Sequence, residues 1–221
     1  MATPARDPCA AKKNLAEHVA DQAVFHDTQL KPRLDAALAG EGHVFFVDAA
    51  HFVFGTFLGC LWSFARIFVR AASGRQRFNV LGAWNAATRE LVAVTNTTVV
   101  NTETMCELLR KIAALGLTGP ITLVLDNARY QRNAAVQALA GQLGITLLFL
   151  PSYSPNLNLI ERLWKIIKRR SIYGRYHPTF ADFKAAIEQT IAGLATIHAE
   201  PLATLMTLNF QRFENVSLLA A

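Results

Sequence analysis

Three acidic residues stand in sequence surroundings that do not suit a charged side chain. Asp48 lies inside the apolar stretch HVFFVDAAHF, and Asp126 ends the apolar stretch ITLVLDN. Glu161 begins an amphipathic segment whose apolar residues recur at helical spacing on another side of the helix. Because an ionised carboxylate is costly to bury without a partner, these acids need a physical explanation.

Two of the acids also have explanations that involve no chemistry. Asp126 followed by Asn127 is typical of a turn at the end of a strand. Asn158 and Glu161 have the spacing of a capping box, and Glu161 and Lys165 have the spacing of a stabilising i,i+4 pair. Considered alone, this last segment favours the structural interpretation of Glu161.

A divalent cation would account for all three acids at once. Hard cations such as Mg²⁺ prefer carboxylate oxygens and accept them from different elements of a fold. Open α/β sheets place their sites at the carboxyl ends of strands and at the starts of the following helices. The pattern therefore predicts a metal site formed by Asp48, Asp126 and Glu161, with Asn127 as an auxiliary group that could orient a carboxylate or a phosphate.

The surrounding pattern predicts the elements that would position these acids. Strands are predicted at 43–52, 77–84, 90–99, 119–127 and 145–151, and helices at 21–38, 102–115, 132–143, after 158 and at 179–197. Three successive strands indicate an antiparallel meander, and strands that alternate with helices add to it in parallel. We therefore predict an α/β fold with a mixed five-stranded sheet and helices on both faces. The aromatic and basic segment 57–77 is predicted to form a hairpin or a folded loop.

Composition limits the class of protein. The 221 residues are enough for one domain with a real core, and 52% of them are hydrophobic. The net charge of +6 and the pI near 9.5 favour an anionic partner. Three widely spaced cysteines without a CxxC pair indicate free thiols in a reducing compartment, so we expect a cytoplasmic, nucleoid-associated protein.

A membrane span was considered for the apolar segment 44–62. Asp48 would cost about 2.5–3.5 kcal/mol at the centre of a bilayer. The β-branched and aromatic start of this segment, VFFV, is more typical of a buried strand. We therefore expect no membrane partner.

The sequence around each acid resembles the catalytic motifs of one family. FFVDAAHF, VLDNARYQ and LPSYSPNLNLIERLWK are similar to the motifs of DDE transposases, above all the mariner-like bacterial insertion-sequence transposases. The last two acids of that family have the same 34 intervening residues as Asp126 and Glu161. The resemblance extends from about residue 42 to residue 187. It implies a ribonuclease-H-like fold, metal-dependent DNA cleavage and strand transfer, and a homodimer in the active complex.

The resemblance also implies roles for particular residues. Two Mg²⁺ or Mn²⁺ ions about 3.5–4 Å apart would activate the attacking oxygen and stabilise the leaving one. Asp48 would bridge both ions, and Asp126 and Glu161 would each hold one side. The substrate would be double-stranded DNA, both as element ends and as target.

A basic stretch follows Glu161 along the same predicted helix. A solvated helix end favoured by the macrodipole would explain it equally well when considered alone. Beside a site that cuts DNA, contacts with phosphates become the better interpretation. The residues predicted to bind DNA are Lys165, Lys168, Arg169, Arg170 and Arg175.

The predicted organisation has three parts. Residues 1–42 form a helical extension, residues 43–200 form the catalytic domain, and residues 201–221 form a C-terminal tail. The extension is too short for a pair of helix-turn-helix units. We therefore expect a split-frame product, a truncation or an excised domain, and a separate DNA-reading polypeptide as a partner. The alternatives are an inactive or repurposed remnant that binds DNA without sequence preference, and a nuclease that does not transpose.

Overall fold

The fold is built around one mixed β-sheet. A computed structural model describes residues 15–55, 75–152, 154–197 and 199–211. The strands are β1 (His43–Val53), β2 (Arg77–Asn85), β3 (Leu91–Asn96), β4 (Ile121–Leu125) and β5 (Ile145–Phe149). They lie in the order β3-β2-β1-β4-β5, with β1 to β3 antiparallel and with β4 and β5 added in parallel. The predicted mixed five-stranded sheet is confirmed.

Helices cover both faces of this sheet. They are α1 (Leu15–Phe25), α2 (Lys31–Leu38), α3 (Thr102–Ala113), α4 (Ala134–Gln142), α5 (Ile160–Ser171), α6 (Phe180–Ala192) and α7 (Ala199–Leu205). One apolar core joins the sheet to α3 and α4, and a second core on the opposite face contains side chains of α2, α5, α6 and α7. The two cores confirm the prediction of helices on both faces.

Side chains of β1 alternate between the two cores, because successive residues of a strand point to opposite faces. Phe45 and Val47 belong to the core under α3, whereas Phe46, Ala50 and Phe52 belong to the core under α5. An acid at position 48 therefore lies on the α5 face of the sheet.

Residues on both sides of the predicted catalytic domain also contribute to the α5 core. The predicted helix 21–38 is observed as α1, a π-helical turn over His26–Leu30, and α2. Leu34 of α2 and Leu202 of α7 are both buried in this core. The described residues before 43 and after 200 thus pack against the rest of the fold.

Arg162 connects the chain after α7 to α5. Its guanidinium donates to the backbone carbonyls of Leu205 at 3.3 Å, Thr207 at 2.8 Å and Asn209 at 2.7 Å. It also lies 5.9 Å from the centre of the Phe210 ring. These contacts fix residues 205–210 against the helix that carries Glu161.

Two predicted elements differ from the structure. The third strand ends at Asn96, because the Asn96 side chain accepts from the Thr98 N–H and donates to the Val99 carbonyl in a turn. The predicted helix at 179–197 ends at Ala192, before Gly193. Most of the predicted hairpin at 57–77 lies outside the described residues. Within the described ranges, no helix is long and apolar enough to cross a membrane.

Candidate active site

The register of β1 and β4 places two of the acids side by side. In this parallel pair Val47 is opposite Leu125, and each of these residues is followed by an acid. Val124 belongs to the same core as Phe46, so the alternation places Asp48 and Asp126 on the α5 face of the sheet. Sequence alternation and strand pairing together bring these two carboxylates to one edge.

Glu161 reaches the same place because α5 begins against this edge. Ile160, Leu163 and Ile167 are fully buried on the side of α5 that faces the sheet. Just before the helix, the Asn158 side chain donates to the Val47 carbonyl at 3.3 Å. This bond ties the start of α5 to β1 at the residue before Asp48.

The three acids line one cleft with a volume of about 360 Å³. Asn158 also lines the cleft, and its buried Oδ1 atom has no hydrogen-bond partner among the residues that the structure describes. A second groove, of about 470 Å³, shares Glu161 with the first and continues past Arg162 and Lys165. The remaining residues that line the first cleft are Asn127, Leu150, Pro151, Ser152, Ser154 and Pro155.

The negative charges of the cleft act on one another. The pKa of Asp48 is raised to about 7, above all by burial and then by the charges of Glu161 and Asp126. Hydrogen bonds from the Ala49 backbone and the Trp164 indole oppose this rise without cancelling it. Burial, followed by the charges of Asp126 and Asp48, also raises the pKa of the Tyr130 hydroxyl.

The donor set fits a hard divalent cation. Three carboxylates and the unpartnered Asn158 amide oxygen provide only oxygen ligands, which Mg²⁺ and Mn²⁺ accept. A cation would also offset the repulsion that raises the pKa of Asp48. Within the described residues, however, no group of three or more acidic, histidine or cysteine side chains already has a geometry that could hold an ion. The acids share a cleft and would have to draw closer around a cation.

Both structural explanations of Glu161 are wrong. The residue that precedes α5 is Leu159, and no side chain caps the helix N-terminus. The amide N–H₂ of Asn158, the predicted cap, donates to the Val47 carbonyl, and within the described residues its Oδ1 atom, which would accept in a capping box, has no partner. In the described part of the chain no ion pair joins Glu161 to Lys165.

Asn127 has partners that differ from those predicted. Its amide N–H₂ donates to the Leu150 carbonyl at 2.6 Å, and its carbonyl accepts from Arg132 Nε at 3.0 Å. Arg132 in turn lies 4.6 Å above the centre of the Phe149 ring. Asn127 thus holds the loop after β4 against the end of β5.

The interpretation of Asp126 as a turn residue is confirmed, because its Oδ1 atom accepts from the Ala128 N–H at 3.3 Å.

Trp164 is a site residue that the sequence did not reveal. Its indole N–H donates to Asp48 Oδ2 at 2.9 Å. A tryptophan on the apolar side of a helix is typical of a core or an interface, and Trp164 is indeed buried. Its position three residues after Glu161, on the apolar side that faces β1, was the available signal.

The predicted DNA-binding residues lie along and beyond the exposed side of α5. Lys165, Arg169, Arg170 and Arg175 are exposed, and Lys168 is half-buried. Within the described residues none of the five forms a salt bridge. At about 100° per residue, the lysines at 165 and 168 follow Glu161 on one side of the helix, and Arg170 lies roughly opposite.

Comparison with known proteins agrees with this architecture. Residues 43–184 match the family model described as DDE superfamily endonuclease. Since the match covers well over half of the chain, the chain belongs to the DDE superfamily endonucleases. No curated protein sequence matches it.

Solved structures identify the fold more closely. The chain is similar to Mos1 transposase in a paired-end complex with the left transposon end, with a TM-score of 0.65, 13% identity, and coverage of 87% of this chain and 59% of that one. It is also similar to the catalytic domain of Mos1 mariner transposase, with a TM-score of 0.58, 12% identity, and coverage of 82% and 83%. A third similar structure is that of the Mos1 catalytic domain and Raltegravir with Mg, with a TM-score of 0.56, 12% identity, and coverage of 80% and 83%.

These likenesses show a ribonuclease-H-like fold of the kind found in transposase catalytic domains. The chain spans about three fifths of the Mos1 chain in the paired-end complex.

Proposed function

We propose that this chain is the catalytic part of a transposase and that it cuts DNA and joins the cut end to a second site. The observation that supports this most directly is the meeting of Asp48, Asp126 and Glu161 on one cleft from β1, β4 and α5. Family membership supports the same chemistry. Each acid comes from a different element, so the shared cleft is a property of the fold and not of local sequence.

The three carboxylates are proposed to hold Mg²⁺ or Mn²⁺, in two ions. Structures of Mos1 transposase have been solved with Mn and with Mg. When bound, such ions lower the pKa of a water nucleophile and stabilise the leaving oxygen. Asp48 would lie between the two ions, flanked by Asp126 and Glu161.

The proposed reaction consists of two displacements at phosphorus. In the first, a water oxygen attacks a phosphodiester, and the bond to the departing 3′ oxygen breaks, which leaves a 3′-hydroxyl. In the second, that hydroxyl attacks a phosphodiester of the target, and a new 3′–5′ link forms as the target strand is cut. Lys165 and Lys168, which lie on the same side of α5 as Glu161, would bind the flanking phosphates and position the DNA strands.

The proposed partners follow from this chemistry. Double-stranded DNA would supply both the element ends and the target. The Mos1 structures are of paired-end and strand transfer complexes, which supports a homodimer as the active form. Recognition of a particular end sequence is assigned to a DNA-reading module, which a separate polypeptide could provide, and the site of action would be the nucleoid in the cytoplasm.

An assay with a labelled duplex and a supercoiled plasmid tests this proposal. With Mg²⁺ or Mn²⁺ we expect nicks in the plasmid and joining of the labelled 3′ end to it, and with EDTA we expect neither. The Asp126→Asn variant should lose both activities by roughly 10³-fold and keep its affinity for duplex DNA. Cleavage without joining would identify a nuclease that does not transpose, and binding without cleavage would support the inactive remnant.

A further inference from the structure

Trp164 and Gly82 act together on the orientation of Asp48. The Trp164 indole N–H donates to Asp48 Oδ2 at 2.9 Å, and Trp164 is only 4% exposed. The terminal torsion of an aspartate side chain is broad and roughly two-fold, so the carboxylate does not hold one orientation by itself. A buried donor on one of its oxygens fixes the plane in which both oxygens lie.

Gly82 leaves the space that the indole occupies. It lies directly opposite Asp48 in the β1–β2 pair. A Cβ at position 82 would stand 2.7 Å from Trp164 Cη2, closer than real Cβ atoms approach, and 3.0 Å from Leu91 Cδ1, which is a tight contact. Phe52 packs edge-on against the indole, with ring centres 6.5 Å apart. The glycine is therefore required for the close approach of the tryptophan to the sheet.

An indole is suited to this role because of its chemistry. The Trp164 N–H is only a donor and has no proton to lose near neutral pH. It can donate to Asp48 whether the carboxyl group is ionised or protonated, and the bond is stronger when the group is ionised. The orientation of Asp48 is thus held independently of the protonation state of the cleft.

We propose that Trp164 is a positioning residue that orients Asp48 toward a divalent cation. Gly82 leaves the space in which the indole packs against the sheet. This inference rests on the metal site of the proposed function. Because Glu161 lies three residues before Trp164 on α5, the placement of this one helix sets both the position of Glu161 and the orientation of Asp48. Outer-shell partners of metal ligands commonly account for 10-fold to 100-fold of metal affinity.

Affinity for Mn²⁺, measured on the full chain by electron paramagnetic resonance of the free ion, tests the proposal without an activity assay. We expect Trp164→Phe to weaken Mn²⁺ binding roughly 10-fold, since phenylalanine keeps an aromatic ring and lacks the donor. The matched control is Trp84→Phe. Trp84 is also buried and lies in β2, but in the described part of the chain its Nε1 atom has no hydrogen-bond partner. This control should bind Mn²⁺ within about 2-fold of wild type.

A second variant disturbs the hydrogen bond between Trp164 and Asp48 through a change at Gly82. Gly82→Ala leaves Trp164 intact and puts a methyl group where the indole lies, so it should also weaken Mn²⁺ binding roughly 10-fold. The double variant Gly82→Ala with Trp164→Phe should be no weaker than the Trp164→Phe variant, because the two changes remove one interaction. Circular dichroism of each variant would verify the fold, and Trp164→Phe alone decides the question if Gly82→Ala does not fold.

The outcomes separate this inference from the proposed function. Unchanged Mn²⁺ affinity in Trp164→Phe, an equal loss in the Trp84→Phe control, or additive losses in the double variant would each overturn the positioning role while the metal site stands. A wild-type chain that binds no Mn²⁺ would overturn the proposed metal site and this inference together.

Discussion

Two helices of equal length, α3 and α5, use their polar residues in opposite ways. Each has 12 residues, an acid in its first turn and basic residues in its last turn. In α3, Asn101 and Thr104 form a capping box, and Glu107 pairs with Lys111 at 3.3 Å. In α5 no side chain caps the N-terminus, and Glu161 faces the cleft. The cap and the ion pair of α3 stabilise the helix itself, whereas Glu161 of α5 faces the cleft.

This difference shows that tertiary contacts hold the helix that carries the candidate active site. α5 lacks the local stabilisation of α3 and depends on tertiary contacts, namely the fully buried Ile160, Leu163 and Ile167 and the bond from Asn158 to β1. Packing on the sheet can hold a helix in place of its own caps and ion pairs. The side of α5 that faces away from the sheet is thereby free to bind ligands.

The largest expected difference between the helices concerns their first-turn acids. Glu161→Gln in α5 should reduce DNA cleavage roughly 10³-fold or more, because a metal ligand is lost. Glu103→Gln in α3 should leave cleavage unchanged and cost roughly 0.5 kcal/mol of stability, because it removes only an interaction with the helix dipole. Parallel cleavage assays and urea unfolding would measure both. Equal cleavage by the two variants would remove Glu161 from the site.

The sheet face under α5 should show a pH dependence that originates in Asp48. Its pKa lies near 3.8 in an unfolded chain and near 7 in the fold, so the folded protein binds the proton more tightly. Ionisation therefore lowers the free energy of unfolding as the pH rises from about 4 to 7. Without metal, Asp48→Asn should be more stable than wild type by roughly 2 to 4 kcal/mol at pH 8, and by under about 1 kcal/mol at pH 4.

Urea unfolding at the two pH values, in EDTA, would measure this effect. A stability difference that does not grow between pH 4 and pH 8 would contradict the burial of an ionisable Asp48.

The basic residues provide a third contrast. Lys165 and Lys168 of α5 have no ion pair, whereas Lys111 of α3 pairs with Glu107 and donates to the Ala93 carbonyl at 3.1 Å. Replacement of both α5 lysines by Gln should reduce the slope of log affinity for duplex DNA against log salt by about two contacts. The control variant Lys111→Gln should leave the slope unchanged.

Salt titrations with specific and scrambled duplexes would test this contrast. Phosphate contacts should weaken equally on both duplexes. A loss confined to one sequence would show that these lysines read bases.

The smallest expected effects concern the two asparagines that precede the helices. Asn101→Ala should cost about 1 kcal/mol of stability through the lost cap and should not alter cleavage. Asn158→Ala should cost a similar amount through the lost bond to Val47, and it should also weaken Mn²⁺ binding, because it loosens the start of α5 beside Asp48. Calorimetry of unfolding and Mn²⁺ titration would compare them. An identical response of the two variants would show that Asn158 has only a structural role.

The sequence predicted those features that depend on short-range periodicity. The apolar surroundings of Asp48 in β1 marked it as an acid that needs a partner, and the end of an apolar strand placed Asp126 at the sheet edge. The antiparallel meander and its two parallel additions followed from the succession of strands and helices along the chain. Glu161 was recognised because it lies off the apolar stripe of its helix.

Features that depend on contacts between residues distant in sequence were not predicted. Asn158 has the right spacing for a capping box, but its amide bonds to the carbonyl of Val47, which is 111 residues away in sequence. Trp164 fits an apolar stripe equally well with or without a partner for its indole N–H. Its bond to Asp48 depends on the space above Gly82, which only the paired strands define.

The hydrogen bonds from Arg162 to the chain after α7 have a consequence for how copies of such a gene lose activity. A premature stop codon before the codon for Leu205 would spare all three acids and every strand of the sheet. It would still leave the guanidinium next to Glu161 without the carbonyls of Leu205, Thr207 and Asn209. We expect such a copy to encode a complete acidic motif on a loosened α5. An intact motif in a genome is therefore a weaker sign of a working copy than an intact motif together with an intact 3′ end of the reading frame.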